Sequence, residues 1–274
     1  KKMKLAIAGC GRIASVHYEA IERLVAEKNL DITVNALIDT SILNAQNFKN
    51  KHQLSSNIYI SLDEALKQSE FDSILICVPH SFHESLSLRS FENGKHVLLE
   101  KPMAHNLSSA WRILKQSKTS RKVFMIAENS QYWPEVNRVK ELLNAGSIGK
   151  LITVKASFRQ SSSNDIFDSY SLLPGDQLDK AWRFDKESTG GGITIDGGAH
   201  WIRPLRIWFN DVIQTMAKFA YPHPGMDGES LSQALFLFDN EISCIFEGIL
   251  TERTCFSPEP PFRITGTLGE IVVG

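Results

Sequence analysis

Lys4-Leu5-Ala6-Ile7-Ala8-Gly9-Cys10-Gly11-Arg12-Ile13-Ala14 is the stretch on which the reading of this chain turns. Lys4 to Ala8 is a short, mostly apolar run, too compact for a helix and suited to a buried parallel strand. Gly9 to Ala14 is a G-x-G-x-x-A turn, with Arg12 and Ile13 inside it. The pattern that follows predicts a helix with Ile13, Val16, Ala20, Ile21, Leu24 and Val25 on its apolar face. A second apolar strand, Ile32 to Ile38, ends in Asp39. Strand, glycine turn, helix, strand and acid in that order are what a dinucleotide site requires. Gly9 permits the tight turn, Gly11 lets backbone amides approach a pyrophosphate, and Ala14 lets the helix pack close to the strand. The helix start then offers N–H groups and a positive dipole end to phosphates. Asp39 is placed to accept hydrogen bonds from a ribose diol. Glycine turns are common, so the acid at the end of the next strand separates this reading from an ordinary strand-to-helix turn.

The 274 residues suffice for two modest domains. Hydrophobic residues at 42% and charged residues at 22% have the balance of a soluble globular protein. A net charge of −1 gives no bulk attraction to nucleic acid or acidic membranes, so neither is expected as a partner. No apolar stretch reaches the length of a membrane span. The chain enters its first strand within a few residues, so no signal peptide is expected in it, although it starts at Lys1 rather than Met, as a processed precursor would. Cys10, Cys77, Cys244 and Cys255 form no C-x-x-C pair. A structural zinc or a disulfide framework is therefore not expected, and a reducing cytoplasm is the default location.

Strand and helix alternate through the first part. Strands are predicted at Asn57 to Ile60, Ser73 to Val78, His96 to Leu99 and Val123 to Ala127. Helices are predicted up to His52, from the capping signal Ser61-Leu62-Asp63-Glu64, from Phe82 to Glu92 with a stop at Asn93-Gly94, and from Ser108 to Gln116. Repeated units of this size argue for a parallel doubly wound sheet, a Rossmann-type α/β domain over residues 1–127. From Asn129 the pattern changes. Pro134 opens a helix, and longer alternating strands follow at Leu151 to Phe158, Ile213 to Ala220, Leu231 to Phe238, Ile242 to Leu250 and Phe262 to Thr267. Residues 128–274 are therefore expected to form a second α/β domain around a large, mostly antiparallel open sheet, with a long polar loop from Ser161 to Asp179. Leu235, Leu237, Ile245 and Ile249 alternate along these strands and would leave apolar surface for another subunit.

Three further clusters carry chemistry. Val78-Pro79-His80-Ser81-Phe82-His83 follows one strand and Glu100-Lys101-Pro102 the next, where such a fold places its ligands. The third is Gly190-Gly191-Gly192-Ile193-Thr194-Ile195-Asp196-Gly197-Gly198-Ala199-His200. If that segment is helical, Asp196 and His200 share a face. His80 and His83 could be taken for a metal pair, but no third ligand stands at usable spacing, so no metal is expected. Pro222-His223-Pro224 reads as a rigid turn.

With these residues in place the chain resembles the glucose–fructose oxidoreductase / inositol dehydrogenase (Gfo/Idh/MocA) family over nearly its whole length. The resemblance rests on Gly9 to Ala14, Val78-Pro79 with His83, Glu100-Lys101-Pro102, Gln131-Tyr132-Trp133-Pro134, Ile148-Gly149 and Gly190 to His200. It implies an NAD(P)-dependent oxidoreductase acting on CH–OH groups of sugars, polyols and related diols. It also implies Lys101 beside the nicotinamide and substrate, and Asp196 and His200 facing the substrate carbinol. The chemistry agrees: a histidine can take the alcohol proton, and a lysine can stabilise charge developing on its oxygen. Asp196 would bind a neighbouring hydroxyl or orient the imidazole. Pro79, His80, His83, Glu100 and Gln131 are then expected at the cofactor, and Trp182 and Arg183 beside the substrate. NAD is expected rather than NADP, since a 2′-phosphate would meet the carboxylate of Asp39. A homodimer or homotetramer is expected, because members of the family commonly form them.

The chain departs from the family's pattern in three places. Arg203 stands three residues after His200, where members often carry an acid, so it would attract an acidic sugar or pair elsewhere. His80 replaces a frequent asparagine. The chain ends at Gly274, whereas members usually continue, so the second domain is read as C-terminally incomplete or as a short variant. A non-catalytic NAD(P)-binding regulatory protein and an NAD-dependent glycosidase of the same fold are the alternative functions. Retention of Lys101 and His200 argues against the first.

Overall fold

The apolar runs Leu5 to Ala8 and Ile74 to Ile76 become central strands buried on both faces. The computed structural model describes residues 2–162, 182–253, 256 and 259–274. In the first unit, β1 (Met3–Ala8), β2 (Ile32–Ile38), β3 (Asn57–Tyr59), β4 (Ser73–Ile76), β5 (His96–Leu99) and β6 (Phe124–Ile126) are all parallel. Their order is β3-β2-β1-β4-β5-β6. Ala6 and Ala8 of β1 and Ile74 and Ile76 of β4 enter one core. Leu5, Ile7 and Leu75 point to the opposite face and enter another. A strand covered on both sides has no solvent face to keep polar, and this is why these segments read as continuous apolar runs.

Helices α1 (Arg12–Lys28), α2 (Ile42–Lys51), α3 (Leu62–Gln68), α4 (His83–Glu92) and α5 (Leu107–Ser120) connect the strands. The caps follow the sequence. Ser61 accepts from the Glu64 amide, Asn106 accepts from the Ser109 amide, and Gly94 stops α4 with φ +68°. One expectation is corrected. Val16, Ala20 and Leu24 of α1 are exposed, and the helix instead buries Ala14 and Ser15, with Tyr18 and Ile21 packed against the same core. The small residues 14 and 15 let α1 approach the sheet closely. This rotates the helix away from the stripe that its larger apolar side chains suggest.

The second unit begins at Glu128. Its sheet is β7 (Leu151–Ser161), β8 (Val212–Ala220), β9 (Leu231–Phe238), β10 (Ser243–Thr251), β11 (Phe262–Gly266) and β12 (Glu270–Val273), in the order β12-β11-β7-β10-β9-β8. Only β7 and β10 run parallel; the other neighbours are antiparallel. The same unit has helices α6 (Pro134–Asn144), α7 (Lys186–Thr189), α8 (Ile193–Asp196) and α9 (Ala199–Phe209). Val154, Ala156, Phe158, Phe246 and Phe262 line one face of the sheet and pack with Ile193, Leu205 and Phe209. On the other face Met216 pairs with Leu235, and Leu235 with Ile245. These three side chains are 75%, 46% and 55% exposed. Leu237 and Ile249 are only partly exposed.

Beyond Ser162 the polar loop expected to Asp179 lies outside the described residues, as does Cys255. Cys10 and Cys244 are buried, whereas Cys77 keeps some exposure. Burial pushes the Cys244 thiol up to about 12, and those of Cys10 and Cys77 upward as well. Among the described residues no helix is long and apolar enough to cross a membrane.

Candidate active site

The strand ends of the first unit are shaped by what their residues lack. Gly9 adopts φ +85°, and a Cβ there would overlap the carbonyl of Cys77, so only glycine lets the β1 turn lie against the end of β4. Gly11 is the N-cap of α1, and a Cβ built on it meets nothing within 4 Å. The helix has no side-chain cap and no acid in its first turn. A helix start with open space at Gly11 and no acid in its own first turn fits a pyrophosphate. Arg12, Ile13 and Ala14 form that first turn. Asp39 Oδ2 accepts from the Cys10 amide and Oδ1 from the Ser41 amide, both at 2.8 Å. The carboxylate is thereby fixed beside the glycine turn, and each oxygen keeps lone-pair capacity for a ribose hydroxyl.

Two loops at the ends of β4 and β5 are tied together by His83, the fully buried first residue of α4. Its Nδ1 lies 2.8 Å from the Pro102 carbonyl and its Nε2 3.0 Å from that of Val78. Burial pulls this imidazole below its ordinary range, with the two carbonyls resisting. Pro79 leads into the turn His80–Phe82, and His80 is buried with its ring 5.5 Å from that of His83. Glu100 Oε1 lies 2.6 Å from His17 Nε2, and its Oε2 accepts from the Lys101 amide at 3.0 Å. Glu100 therefore joins α1 to the end of β5, and Lys101 follows it, partly exposed.

In the second unit the glycine run serves close packing. A Cβ on Gly192 would overlap the backbone of Glu229. The Glu229 carboxylate accepts from the Gly192 amide at 2.9 Å and the Thr194 amide at 3.2 Å, capping α8. Asp196, at the end of α8, receives Arg183 Nη1 on both oxygens, at 3.0 and 2.9 Å. The Arg183 guanidinium lies 4.6 Å from the centre of the Trp182 ring.

His200 stands in the next helix, α9. Its Nδ1 lies 2.8 Å from Glu128 Oε1, and its ring is 6.5 Å from that of Trp133 at 26°. The same Oε1 accepts from the Ser130 amide at 2.9 Å. Burial raises the Glu128 carboxyl, but the hydrogen bond and charge of His200 and the Ser130 amide outweigh it and hold the group below its ordinary range. An ionised carboxylate only accepts, so Nδ1 carries a proton in either charge state, and in the neutral imidazole the lone pair is on Nε2. Three residues on, Arg203 Nη2 donates to Gln131 Oε1 at 3.0 Å, and Gln131 Nε2 donates to the Glu128 carbonyl at 3.0 Å.

Asp196 and His200 thus sit on two successive short helices with different charged partners. The sequence reading did not single out Glu128 or Glu229. Glu128 lies 72 residues from the histidine it meets, beyond any local spacing rule. His223 is a turn residue: its Nδ1 accepts from the Gly225 amide at 3.1 Å, leaving Nε2 to donate to Ser162 Oγ. Among the described residues no group of three His, Cys, Asp or Glu side chains is placed to hold a metal ion.

Comparison with known proteins adds to this geometry. Residues 3–128 match the family model described as "Oxidoreductase family, NAD-binding Rossmann fold", and residues 136–272 match the "GFO/IDH/MocA C-terminal domain". The scyllo-inositol 2-dehydrogenase (NADP(+)) IolU of Bacillus subtilis is 27% identical over 244 residues, covering 89% of this chain and 69% of that protein. The trans-1,2-dihydrobenzene-1,2-diol dehydrogenase of Xenopus tropicalis is 25% identical over 207 residues, 76% of this chain and 57% of that protein. The chain therefore spans 57–69% of the length of these two relatives. The crystal structure of myo-inositol 2-dehydrogenase from Lactobacillus plantarum superimposes with a TM-score of 0.81 at 19% identity. It covers 100% of this chain and 77% of that one, a likeness of fold.

Proposed function

The chain belongs to the GFO/IDH/MocA family of NAD-binding oxidoreductases, and from that premise we propose that it moves a hydride between nicotinamide and a secondary alcohol or ketone of a sugar, cyclic polyol or related diol. The observation that carries the reading is the His200–Glu128 pair. A carboxylate holding Nδ1–H leaves Nε2 free to take a hydroxyl proton, and it stabilises the imidazolium that results. Bound NAD(H) supplies the hydride acceptor or donor. In the oxidation direction His200 Nε2 removes the carbinol proton, while the Lys101 ammonium hydrogen-bonds the same oxygen and offsets its developing charge. Asp196 is neutralised by Arg183, which suits it to binding a neighbouring hydroxyl rather than to taking the proton.

NAD(H) is preferred over NADP(H) in this reading. A 2′-phosphate about 4 Å from the Asp39 carboxylate would cost on the order of 4 kcal/mol per charge pair at an effective dielectric of roughly 20. The exposed sheet face around Met216, Leu235 and Ile245 is assigned to a second copy of the chain, and light scattering that finds only monomer removes that part. The main test is a screen of polyols, sugars and diols, following reduction of NAD⁺ and NADP⁺ by absorbance, with Lys101→Met as control. Turnover with NAD⁺ that falls about 10²–10³-fold in the variant, with cofactor affinity kept, is the expected result. Wild-type turnover in Lys101→Met refutes the assignment.

A further inference from the structure

Two of the charged groups near His200 have ionic partners. Asp196 is matched by Arg183, and Glu128 by His200. Arg203 has no carboxylate within ion-pair distance among the described residues. Its side chain is partly buried, and its side-chain partner is the neutral amide oxygen of Gln131. A guanidinium carries five donors in a planar fork that matches a carboxylate, and a half-buried one without a counter-ion has donors left to offer an anion.

Its placement is as telling as its charge. His200 and Arg203 are three apart on α9, and both reach the same short segment: His200 bonds Glu128, Arg203 bonds Gln131. The two side chains therefore lie on one side of the helix, about 5–6 Å apart at Cβ. We propose that the substrate carries a carboxylate and that Arg203 receives it, a few carbons from the carbinol that faces His200. Sugar acids and short hydroxy acids have that form; neutral polyols would leave the cation uncompensated. The inference rests on the oxidoreductase reading and names its substrate class.

The test is binding of matched pairs to the NAD⁺-loaded protein by calorimetry: gluconate with sorbitol, glucuronate with glucose, tartrate with threitol. At least one acid should bind more tightly than its neutral partner by about 10- to 100-fold, as for a hydrogen bond to a charged group. That ratio should collapse in Arg203→Gln, survive in part in Arg203→Lys, and shrink in wild type as salt rises. If Arg203 merely fastens the 129–132 turn to α9, Arg203→Gln weakens acid and neutral partner alike, and the proposal is overturned. It is also overturned if no acid is preferred, or if the preference persists in Arg203→Gln. Cofactor reduction is read separately. Acid binding without turnover of any pair counts against the oxidoreductase reading, while turnover without acid preference counts against Arg203 alone.

Discussion

At the scale of single residues, the candidate site was legible where its chemistry is local and hidden where it is not. Lys101 and Glu100 follow a strand, and Gly9 to Ala14 form a turn, so order along the chain exposes them. Glu128 is a lone acid in Ala127-Glu128-Asn129, and only the folded chain shows that it holds His200. Its role can be separated from general support of the fold. Glu128→Gln loses the charge that stabilises the imidazolium and can offer Nδ1 a donor instead of an acceptor. Turnover should fall, by as much as the ~10²–10⁴-fold that a general base contributes. If Glu128 works through His200, the double variant Glu128→Gln/His200→Ala should be no slower than His200→Ala alone. Multiplying losses would show that Glu128 acts on its own, and Glu128→Asp should recover part of the rate if charge is what matters. Measured kcat on the best substrate of the screen decides.

At the scale of elements, helices and strands were predictable where pattern and punctuation agree. Ser61, Asn106 and Gly94 act as the caps and stop that their positions suggest. The face of α1 was misread because apolar spacing favours Val16 and Leu24, while packing close to the sheet selects Ala14 and Ser15. The glycine run before α8 was recognised as a motif, but its cause was invisible, since the backbone it packs against belongs to residues 228–229. Two glycines should therefore respond in opposite ways. Gly192→Ala drives a methyl into the Glu229 backbone, which cannot rotate away, and should cost about 1–3 kcal/mol as overpacking does. Gly11→Ala meets open space at an ordinary φ of −81°. Its melting temperature should stay near wild type while NAD(H) affinity drops. Thermal melts with and without cofactor distinguish the two, and equal melting temperatures for both variants would contradict the packing argument.

For the whole molecule, the fold class was legible because alternating helix and strand patterns force a parallel sheet, whereas the protonation behaviour emerges only from burial. His52, His83 and His223 all lie below the ordinary value of 6.5. Burial is the leading cause in each, assisted by Lys51 at His52 and opposed by the Pro102 and Val78 carbonyls at His83 and by Glu252 at His223. The unfolded chain then binds more protons than the folded one between the lowered values and 6.5. Stability from these groups is fully present above that window and is lost as pH falls through the folded values. Carboxylates add a second stage of the same sign. Arg112 holds Glu84 at about 2, and Glu128 also lies below its ordinary 4.5, so their contributions are lost as pH falls below that value. The melting temperature should therefore be level above neutral pH, begin to fall near 6.5 and fall again below 4.5. Scanning calorimetry across this range, repeated on His52→Gln and His223→Gln, checks the assignment: each variant should flatten the first decline and leave the second in place. A wild-type melting temperature that does not change between pH 7 and 5 would mean that the histidines are protonated as readily in the folded protein as in the unfolded chain, and the buried-neutral account of all three would fail.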